Sequence, residues 1–230
     1  MDERQLFDNI SKLLERVRRS SQKSQFGNSD ILVLAVSKTR SAEEIRVAHR
    51  CGLCDFGENY LQEAQDKIAA LSDLPLCWHF IGPIQSNKTR AIAEQFDWVH
   101  SVDREKIARR LNDQRPEQLG PLNICLQVNV SGEQSKAGVS IDELGALSNA
   151  IGHLPRLRLR GLMCIPAPTD NEAEQRATFG RMREALHSLQ PENPDMDTLS
   201  MGMSADLDAA IAEGATIVRV GTAIFGPRSR

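Results

Sequence analysis

A single lysine stands directly after a short apolar segment near the start of the chain. Residues 31–36 read Ile-Leu-Val-Leu-Ala-Val, and Ser37, Lys38 and Thr39 follow. Such a run is typical of a strand buried on both faces, so Lys38 is expected at the carboxyl end of that strand. An ammonium group at this position loses solvation, which favours the neutral amine that forms a Schiff base with an aldehyde. The alternative is an ordinary lysine whose aliphatic stem runs from the strand end into water.

Two segments near the other end of the chain have the composition of phosphate-binding turns. Residues 200–204 (Ser-Met-Gly-Met-Ser) precede a helix predicted over about 205–212, and in residues 219–226 (Arg-Val-Gly-Thr-Ala-Ile-Phe-Gly) a short final helix is predicted to begin at Gly221 and Thr222. Backbone N–H groups at helix starts lack intrahelical acceptors and bind anions. Either segment alone could be an ordinary helix cap. Together with Lys38 they indicate a ligand with both a phosphate and an aldehyde, and pyridoxal 5'-phosphate (PLP) has both.

The elements that must position these residues alternate between short apolar and amphipathic segments. An amphipathic helix is predicted over about 3–20, with an apolar stripe formed by Leu6, Ile10, Leu13, Leu14 and Val17. Eight strands are predicted at about 31–36, 54–56, 77–81, 97–101, 122–129, 157–163, 197–200 and 216–220. Stretches with helical spacing lie between them, one of which begins with a capping box at residues 41–44.

This alternation predicts the fold class. Parallel strands need strand–helix–strand connections, and eight such units predict an α/β fold: a single (β/α)8 TIM-like barrel with an extra N-terminal helix. An open doubly wound sheet is the alternative. In a barrel, function is expected at the carboxyl ends of the strands, with phosphate near the last two.

Composition and charge exclude several classes of function. The chain has 230 residues, with 28 Lys+Arg against 31 Asp+Glu, so no nucleic acid or anionic membrane is expected as a partner. We expect one domain over residues 1–230. There is no apolar stretch of about 18 residues and no secretion signal, which predicts a cytoplasmic protein.

The cysteines, the histidines and one glycine-containing segment do not indicate a separate redox, metal or nucleotide site. Five cysteines predict no disulfide framework, and the pair Cys51 and Cys54 closes a helix, which favours a structural role over a redox one. The five histidines show no metal-ligand spacing, and His79 is interpreted as a hydrogen-bonded core residue. Residues 82–89 nearly match a nucleotide P-loop, but Asn87 replaces its second glycine.

Several segments together resemble a known family. The chain is similar over nearly its whole length to the pyridoxal-phosphate homeostasis proteins, single-domain relatives of the N-terminal barrel of alanine racemase. The segments that carry this resemblance are residues 34–38 (Leu-Ala-Val-Ser-Lys), 56–60 (Phe-Gly-Glu-Asn-Tyr), 78–88, 161–163, 200–204 and 219–226.

The resemblance implies a role for seven residues. Lys38 resembles the Schiff-base lysine, and a phosphate-binding group is expected at Ser204, Gly221 and Thr222. The cofactor ring is expected to contact Asn59 and Met201, and Arg219 resembles the arginine that faces the pyridine nitrogen. Arginine stays cationic, so it disfavours protonation of that nitrogen and leaves the ring a poor electron sink.

The resemblance also implies a carrier rather than an enzyme. Racemisation needs a base on each face of the substrate, and the four residues after Gly226 leave no room for the added domain that supplies the second base in alanine racemase. We therefore expect a protein that holds PLP as a Schiff base and buffers or delivers it, without catalytic turnover. PLP-dependent apo-enzymes are its expected partners, and a monomer is expected. The alternatives are a weak PLP-dependent amino-acid racemase and a cofactor-free Schiff-base aldolase.

A second lysine is expected near the barrel mouth. Lys136 lies in residues 129–138, after the fifth predicted strand. It is either a solvated loop lysine or a second amine that competes with Lys38 for the aldehyde during release.

Overall fold

Eight parallel strands close into a barrel in chain order, with β1 beside β8. The computed structural model describes residues 2–26, 30–133 and 137–227, so the hypothesis on Lys136 lies outside the described residues. The strands are β1 (Leu32–Val36), β2 (Asp55–Glu58), β3 (Cys77–Phe80), β4 (Trp98–Val102), β5 (Leu122–Val128), β6 (Leu157–Cys164), β7 (Thr198–Ser200) and β8 (Ile217–Val220). The predicted (β/α)8 barrel is therefore confirmed, and the open sheet is wrong.

A helix connects each strand to the next. The helices are α1 (Glu3–Lys23), α2 (Ala42–Arg50), α3 (Leu61–Ala70), α4 (Thr89–Gln95), α5 (Glu105–Gln114), α6 (Leu144–Gly152), α7 (Glu172–Leu189), α8 (Leu207–Ala212) and α9 (Thr222–Phe225). α2 begins with the predicted capping box between Ser41 and Glu44. Its last turn leads through Cys51 and Gly52 into β2, as expected for a CxxC motif that closes a helix.

Two details of the helices differ from the prediction. In α1 the buried stripe is Leu6, Ile10, Leu13 and Val17, whereas Leu14 is 41% exposed because one residue turns the helix by about 100° away from that stripe. The helix after β7 begins at residue 207 rather than 205. Residues 204–206 form a turn instead, in which Asp206 Oδ1 accepts the Met203 backbone N–H at 2.6 Å.

The core consists of two apolar layers separated by the barrel wall. A large cluster packs the outer faces of the strands against the helices, and includes Phe56, Val99 and Val218. Inside the barrel, a small cluster contains Leu34, Ile81 and Ile217 with Leu32 and Val36 packed against it. Polar side chains occupy much of the remaining interior, which is unusual for a filled barrel core.

The first helix contacts the last part of the chain. α1 packs against α8 and α9. Asn9 Nδ2 donates to the Ile224 carbonyl oxygen at 2.9 Å, and Arg16 Nη1 donates to the Ser204 carbonyl oxygen at 3.0 Å. The extra helix thus supports the turns that follow β7 and β8. Among the helices of the described residues, none is both long and apolar enough to cross a membrane.

Candidate functional site

The residues predicted to bind a cofactor lie at the carboxyl ends of four neighbouring strands, in the order β7, β8, β1, β2. Residues 201 and 204 follow β7, residue 219 lies in β8, residues 221 and 222 follow it, residue 38 follows β1 and residue 59 follows β2. A Cβ atom added to Gly221 would lie 3.3 Å from the Val36 carbonyl oxygen, so the turn after β8 touches the end of β1. The structure therefore brings the predicted residues to one side of the barrel mouth.

Lys38 occupies the second position of a tight turn. The Arg40 backbone N–H donates to the Ser37 carbonyl oxygen at 3.0 Å and closes the turn. Thr39, at the third position, has φ 63°, a left-handed conformation that residues with a branched Cβ rarely adopt. Lys38 is half-buried. Leu32, Leu34 and Val36 point into the barrel interior, and Lys38 follows them directly after the end of β1.

A buried cluster of charged side chains forms hydrogen bonds to the backbone of this turn. Lys67 Nζ donates to the Ser37 carbonyl oxygen at 2.7 Å and to Glu58 Oε1 at 2.8 Å, and it pairs with Glu63. The Ser37 hydroxyl donates to Glu58 Oε1 at 2.6 Å, and the Glu63 carboxylate accepts the Thr39 backbone N–H. Burial raises the pKa of the Glu58 carboxyl, and the hydrogen bonds from Lys67 and Ser37 oppose that shift. We call Ser37, Glu58, Glu63 and Lys67 the charged cluster; it fixes both neighbours of the predicted Schiff-base lysine.

Asn59 carries a buried side-chain oxygen directly after β2. Its Oδ1 atom has no hydrogen-bond partner among the described residues, an arrangement that costs free energy until a donor arrives. The backbone of Asn59 is fixed by Gly82, after β3, because a Cβ atom there would lie 2.7 Å from the Asn59 Cα. Only glycine fits at that position.

The loop after β7 is held close to β8. Gly202 has φ 92°, and its carbonyl oxygen accepts the Arg219 backbone N–H at 2.9 Å. Ser204 is half-buried in the following turn and Thr222 is exposed at the start of α9, so both predicted hydroxyls are accessible. The predicted start of a short final helix at Gly221 and Thr222 is confirmed.

Met201 is placed differently from the other predicted residues. It is fully buried and belongs to the large apolar cluster between the strands and the helices. Its neighbour Ser200 faces the barrel interior, and successive strand residues point to opposite faces. Contact between Met201 and a cofactor ring therefore stays a prediction.

Arg219 lies inside the barrel near the mouth and is 4% exposed. Its Nη1 atom donates to the Ser200 carbonyl oxygen at 2.5 Å and to Ser200 Oγ at 2.9 Å, and its Nη2 atom donates to the Cys164 carbonyl oxygen at 2.8 Å. All three acceptors are uncharged. Burial lowers the pKa of the guanidinium, although arginine remains protonated in proteins.

Two buried thiols lie near this guanidinium. Cys125 is on β5 and Cys164 ends β6, and both are fully buried. Burial raises the pKa of each thiol to about 12, and the positive charge of Arg219 opposes the shift in both. All five cysteines are free thiols, as expected.

Histidines fill the interior below Arg219. His79 and His100 are 0% exposed, and their rings hydrogen-bond from His79 Nδ1 to His100 Nε2 at 2.9 Å. The interpretation of His79 as a hydrogen-bonded core residue is confirmed. At the amino-terminal end of the barrel, the possible metal-ligand atoms of Asp55, Cys77 and His79 lie within 4.8 Å of one another. His79 Nε2 contacts Asp55 Oδ1 at 3.0 Å and Cys77 Sγ at 3.3 Å, so hydrogen bonds account for this grouping.

Sequence reasoning missed the charged cluster and most of the polar interior. One signal was available for the first: Glu58 lies among the buried residues of β2, and Glu63 and Lys67 lie four positions apart on α3. No comparable local signal exists for His100 and Ser200, which are a hundred residues apart.

Comparison with known proteins identifies the family. The alanine racemase N-terminal domain family matches residues 6–229. The chain is 61% identical over 221 residues to a pyridoxal phosphate homeostasis protein of Pseudomonas aeruginosa, which covers 96% of this chain and 95% of the relative. It is 48% identical over 223 residues to the protein of the same name from Escherichia coli K12, with coverage of 96% and 95%.

A solved structure supports the same grouping. PipY of Synechococcus elongatus, solved with PLP bound, superposes with a TM-score of 0.83 at 38% identity, covering 96% of this chain and 100% of PipY. With the barrel, the lysine turn and the buried arginine in place, these matches show that the chain belongs to the pyridoxal phosphate homeostasis protein family, within the wider family of alanine racemase N-terminal domains.

Proposed function

We propose that this protein binds PLP, holds it as a Schiff base on Lys38 and buffers or delivers it in vitamin B6 and amino-acid and keto-acid homeostasis, without catalytic turnover. The observation that carries the proposal is the convergence of an amine, a buried guanidinium and an amide oxygen on neighbouring strand ends, at Lys38, Arg219 and Asn59, the last with no partner among the described residues. The related PipY, whose solved structure has PLP bound, supports it.

The residues present fit the cofactor. PLP supplies an aldehyde and an aromatic ring that can withdraw electrons from a bonded carbon. Lys38 would hold the aldehyde through its amine nitrogen, with the aldehyde oxygen released as water, so hydrolysis would reverse the attachment. Asn59 offers its amide to a polar group on the ring. The phosphate would be bound by the Ser204 and Thr222 hydroxyls and the backbone at Gly221.

Arg219 favours storage over catalysis. A guanidinium has only N–H donors, so a ring nitrogen facing it accepts a hydrogen bond and gains no proton. The ring then withdraws electrons weakly, and a bonded amino acid would lose its α-proton slowly. This supports a carrier over a racemase.

Borohydride reduction tests the attachment. Protein loaded with PLP should be yellow, and reduction should remove that absorbance and place the label on the peptide that contains Lys38. Lys38→Arg should fold with an unchanged melting temperature and take no label. Lys12→Ala, which changes an exposed lysine of α1, is the matched control and should label like the wild type.

The competing functions predict different results. A colourless protein with low affinity for PLP would favour the aldolase, and exchange of the α-proton of L-alanine in deuterated water would favour the racemase. Delivery is tested by the rate of transfer to a PLP-dependent apo-enzyme, with and without a trap for free aldehyde. Direct delivery predicts that the trap leaves the rate unchanged.

A further inference from the structure

Five side chains from five strands form a continuous line of hydrogen bonds through the barrel interior. Asp55 Oδ1 lies 3.0 Å from His79 Nε2 at the amino-terminal end. His79 Nδ1 lies 2.9 Å from His100 Nε2, and His100 Nδ1 lies 2.8 Å from Ser200 Oγ. Ser200 Oγ accepts from Arg219 Nη1 at 2.9 Å. We call these five residues the interior relay.

The relay crosses the barrel rather than following its wall. His100 is on β4 and Ser200 is on β7, and β5 and β6 separate the two strands. The bond between them spans the interior, so the relay joins the amino-terminal end of β2 to the cofactor end of β8.

When both histidine rings are neutral, every hydrogen bond of the relay runs in the same direction, with donation from Arg219 towards Asp55. The Asp55 carboxylate only accepts, so His79 carries its proton on Nε2 and accepts at Nδ1. His100 therefore donates from Nε2 and accepts at Nδ1 from the Ser200 hydroxyl. That hydroxyl oxygen accepts from Arg219. Burial lowers the pKa of His100, and the positive charge of Arg219 adds to the shift, which agrees with a neutral His100 ring.

Because the relay is buried, the loss of one of its hydrogen bonds is expected to cost free energy. His79, His100 and Ser200 are 0% exposed, and loss of one member leaves its neighbours without a partner in a medium of low dielectric. Aligned hydrogen bonds also polarise one another, so the negative charge of Asp55 strengthens the acceptor that Ser200 offers to Arg219.

We propose that His79, His100 and Ser200 are positioning residues for Arg219: the interior relay fixes the guanidinium in the orientation that faces the cofactor ring. The proposal rests on the proposed function, because it assigns Arg219 to that ring. The relay supplies an uncharged acceptor, the Ser200 hydroxyl, to Arg219, and its one carboxylate, Asp55, lies at the far end of the barrel. The guanidinium is therefore held in place while its charge stays available to a ligand.

Four single variants test the relay. His100→Phe keeps a ring and removes both ring nitrogens, whereas His100→Gln keeps one acceptor and one donor. Ser200→Ala removes the hydroxyl that contacts Arg219. Ser148→Ala is the matched control, because Ser148 is equally buried but its hydroxyl donates to the Gly145 carbonyl oxygen of its own helix, outside the relay.

We expect His100→Phe and Ser200→Ala to weaken PLP binding about tenfold and to shift the absorption band of bound PLP. His100→Gln should restore affinity to within about twofold and restore the band. Ser148→Ala should match the wild type. In an Arg219→Lys background, Ser200→Ala should produce no further loss, because its effect acts through the guanidinium.

A measurement on the unloaded protein separates this inference from the proposed function. The N–H signals of the Arg219 guanidinium, observed by NMR without PLP, should exchange slowly with water in the wild type and rapidly in Ser200→Ala. If that contrast appears and the wild type binds no PLP, the proposed function fails and the positioning role stands. If PLP binds but Ser200→Ala changes neither the exchange nor the affinity, the relay has no positioning role.

Discussion

The two sides of the candidate site differ in whether charged or uncharged groups hold their key residues. On the lysine side, the turn that contains Lys38 is held by the charged cluster of two carboxylates, an ammonium and a hydroxyl. On the arginine side, the three acceptors of Arg219 are uncharged. Under the proposed function Lys38 must become neutral to react, and the charged cluster binds the backbone groups of its two neighbours, Ser37 and Thr39. Arg219 must remain a cation that a ligand can use, and uncharged acceptors hold it without neutralising it.

The largest expected effect comes from a backbone contact on the lysine side. Gly82→Ala places a methyl group against the Asn59 backbone, 2.7 Å from its Cα, and should lower the free energy of unfolding by about 3 kcal/mol. PLP affinity should fall with it because Asn59 must move. Urea denaturation and a binding titration measure the two effects.

A second glycine provides the control for this substitution. Gly145, in α6, has no neighbouring atom of the described residues within 4 Å of an added Cβ, so Gly145→Ala should be neutral or stabilise by up to about 1 kcal/mol. Equal effects of the two substitutions would show that the Asn59 loop adapts freely.

The next effect tests whether charge pairing is what holds the lysine turn. Glu58→Gln leaves Lys67 buried with Glu63 as its remaining carboxylate, and should cost about 2 kcal/mol of unfolding free energy. The exposed pair of Glu105 and Arg109 on α5 supplies a control, for which Glu105→Gln should cost less than about 0.5 kcal/mol. A stable Glu58→Gln variant with normal labelling of Lys38 would remove the distinction between the two sides.

The arginine side should show its own dependence on pH. Because the pKa of His100 is held below 6.5 in the folded protein, the unfolded chain binds more protons once the pH drops through that value. The stability that comes from the neutral ring is therefore complete above about pH 6.5 and is lost as the pH falls. One such group contributes a slope of at most about 1.4 kcal/mol per pH unit. His100→Gln should give a flatter curve between pH 7 and 5 in urea denaturation, and an unchanged slope would place the protonation elsewhere.

The smallest expected effect compares two partners of Glu58 in the charged cluster, the Ser37 hydroxyl and the Lys67 ammonium. Ser37→Ala removes one hydrogen bond to Glu58 and leaves the contact between the two charged groups intact. We expect a loss of about 1 kcal/mol, seen as a lower denaturation midpoint, with little change in PLP affinity. A loss as large as that of Glu58→Gln would mean that the hydroxyl, not the ammonium, dominates the cluster.

The fold was predictable because its signals are local. Strands such as β1 are apolar throughout, and the predicted bounds of all eight strands agree with the structure to within two residues. The prediction was wrong for Leu14, which follows Leu13 in α1 but lies off the buried face of that helix. It was also wrong for the start of α8, because residues 204–206 form a turn in which Asp206 accepts the Met203 backbone N–H.

The positions of the candidate residues at strand ends were predictable only within short sequence segments. Lys38, Asn59 and the turns after β7 and β8 lie in short segments whose composition indicates their position at strand ends. The bond between His100 and Ser200 depends on closure of the barrel, which brings β4 and β7 face to face across the interior. The periodicity of one sequence segment does not indicate which residues of two distant strands come into contact.

The two buried thiols beside Arg219 have a consequence for any reactive small molecule held above them. Cysteine adds readily to carbonyl compounds, but only the thiolate is strongly nucleophilic. With a pKa of about 12, Cys125 and Cys164 are ionised in only about one molecule in 10⁵ at pH 7. Under the proposed function these two thiols would not compete for the aldehyde, and covalent capture would be left to the Lys38 amine, from which hydrolysis could release it.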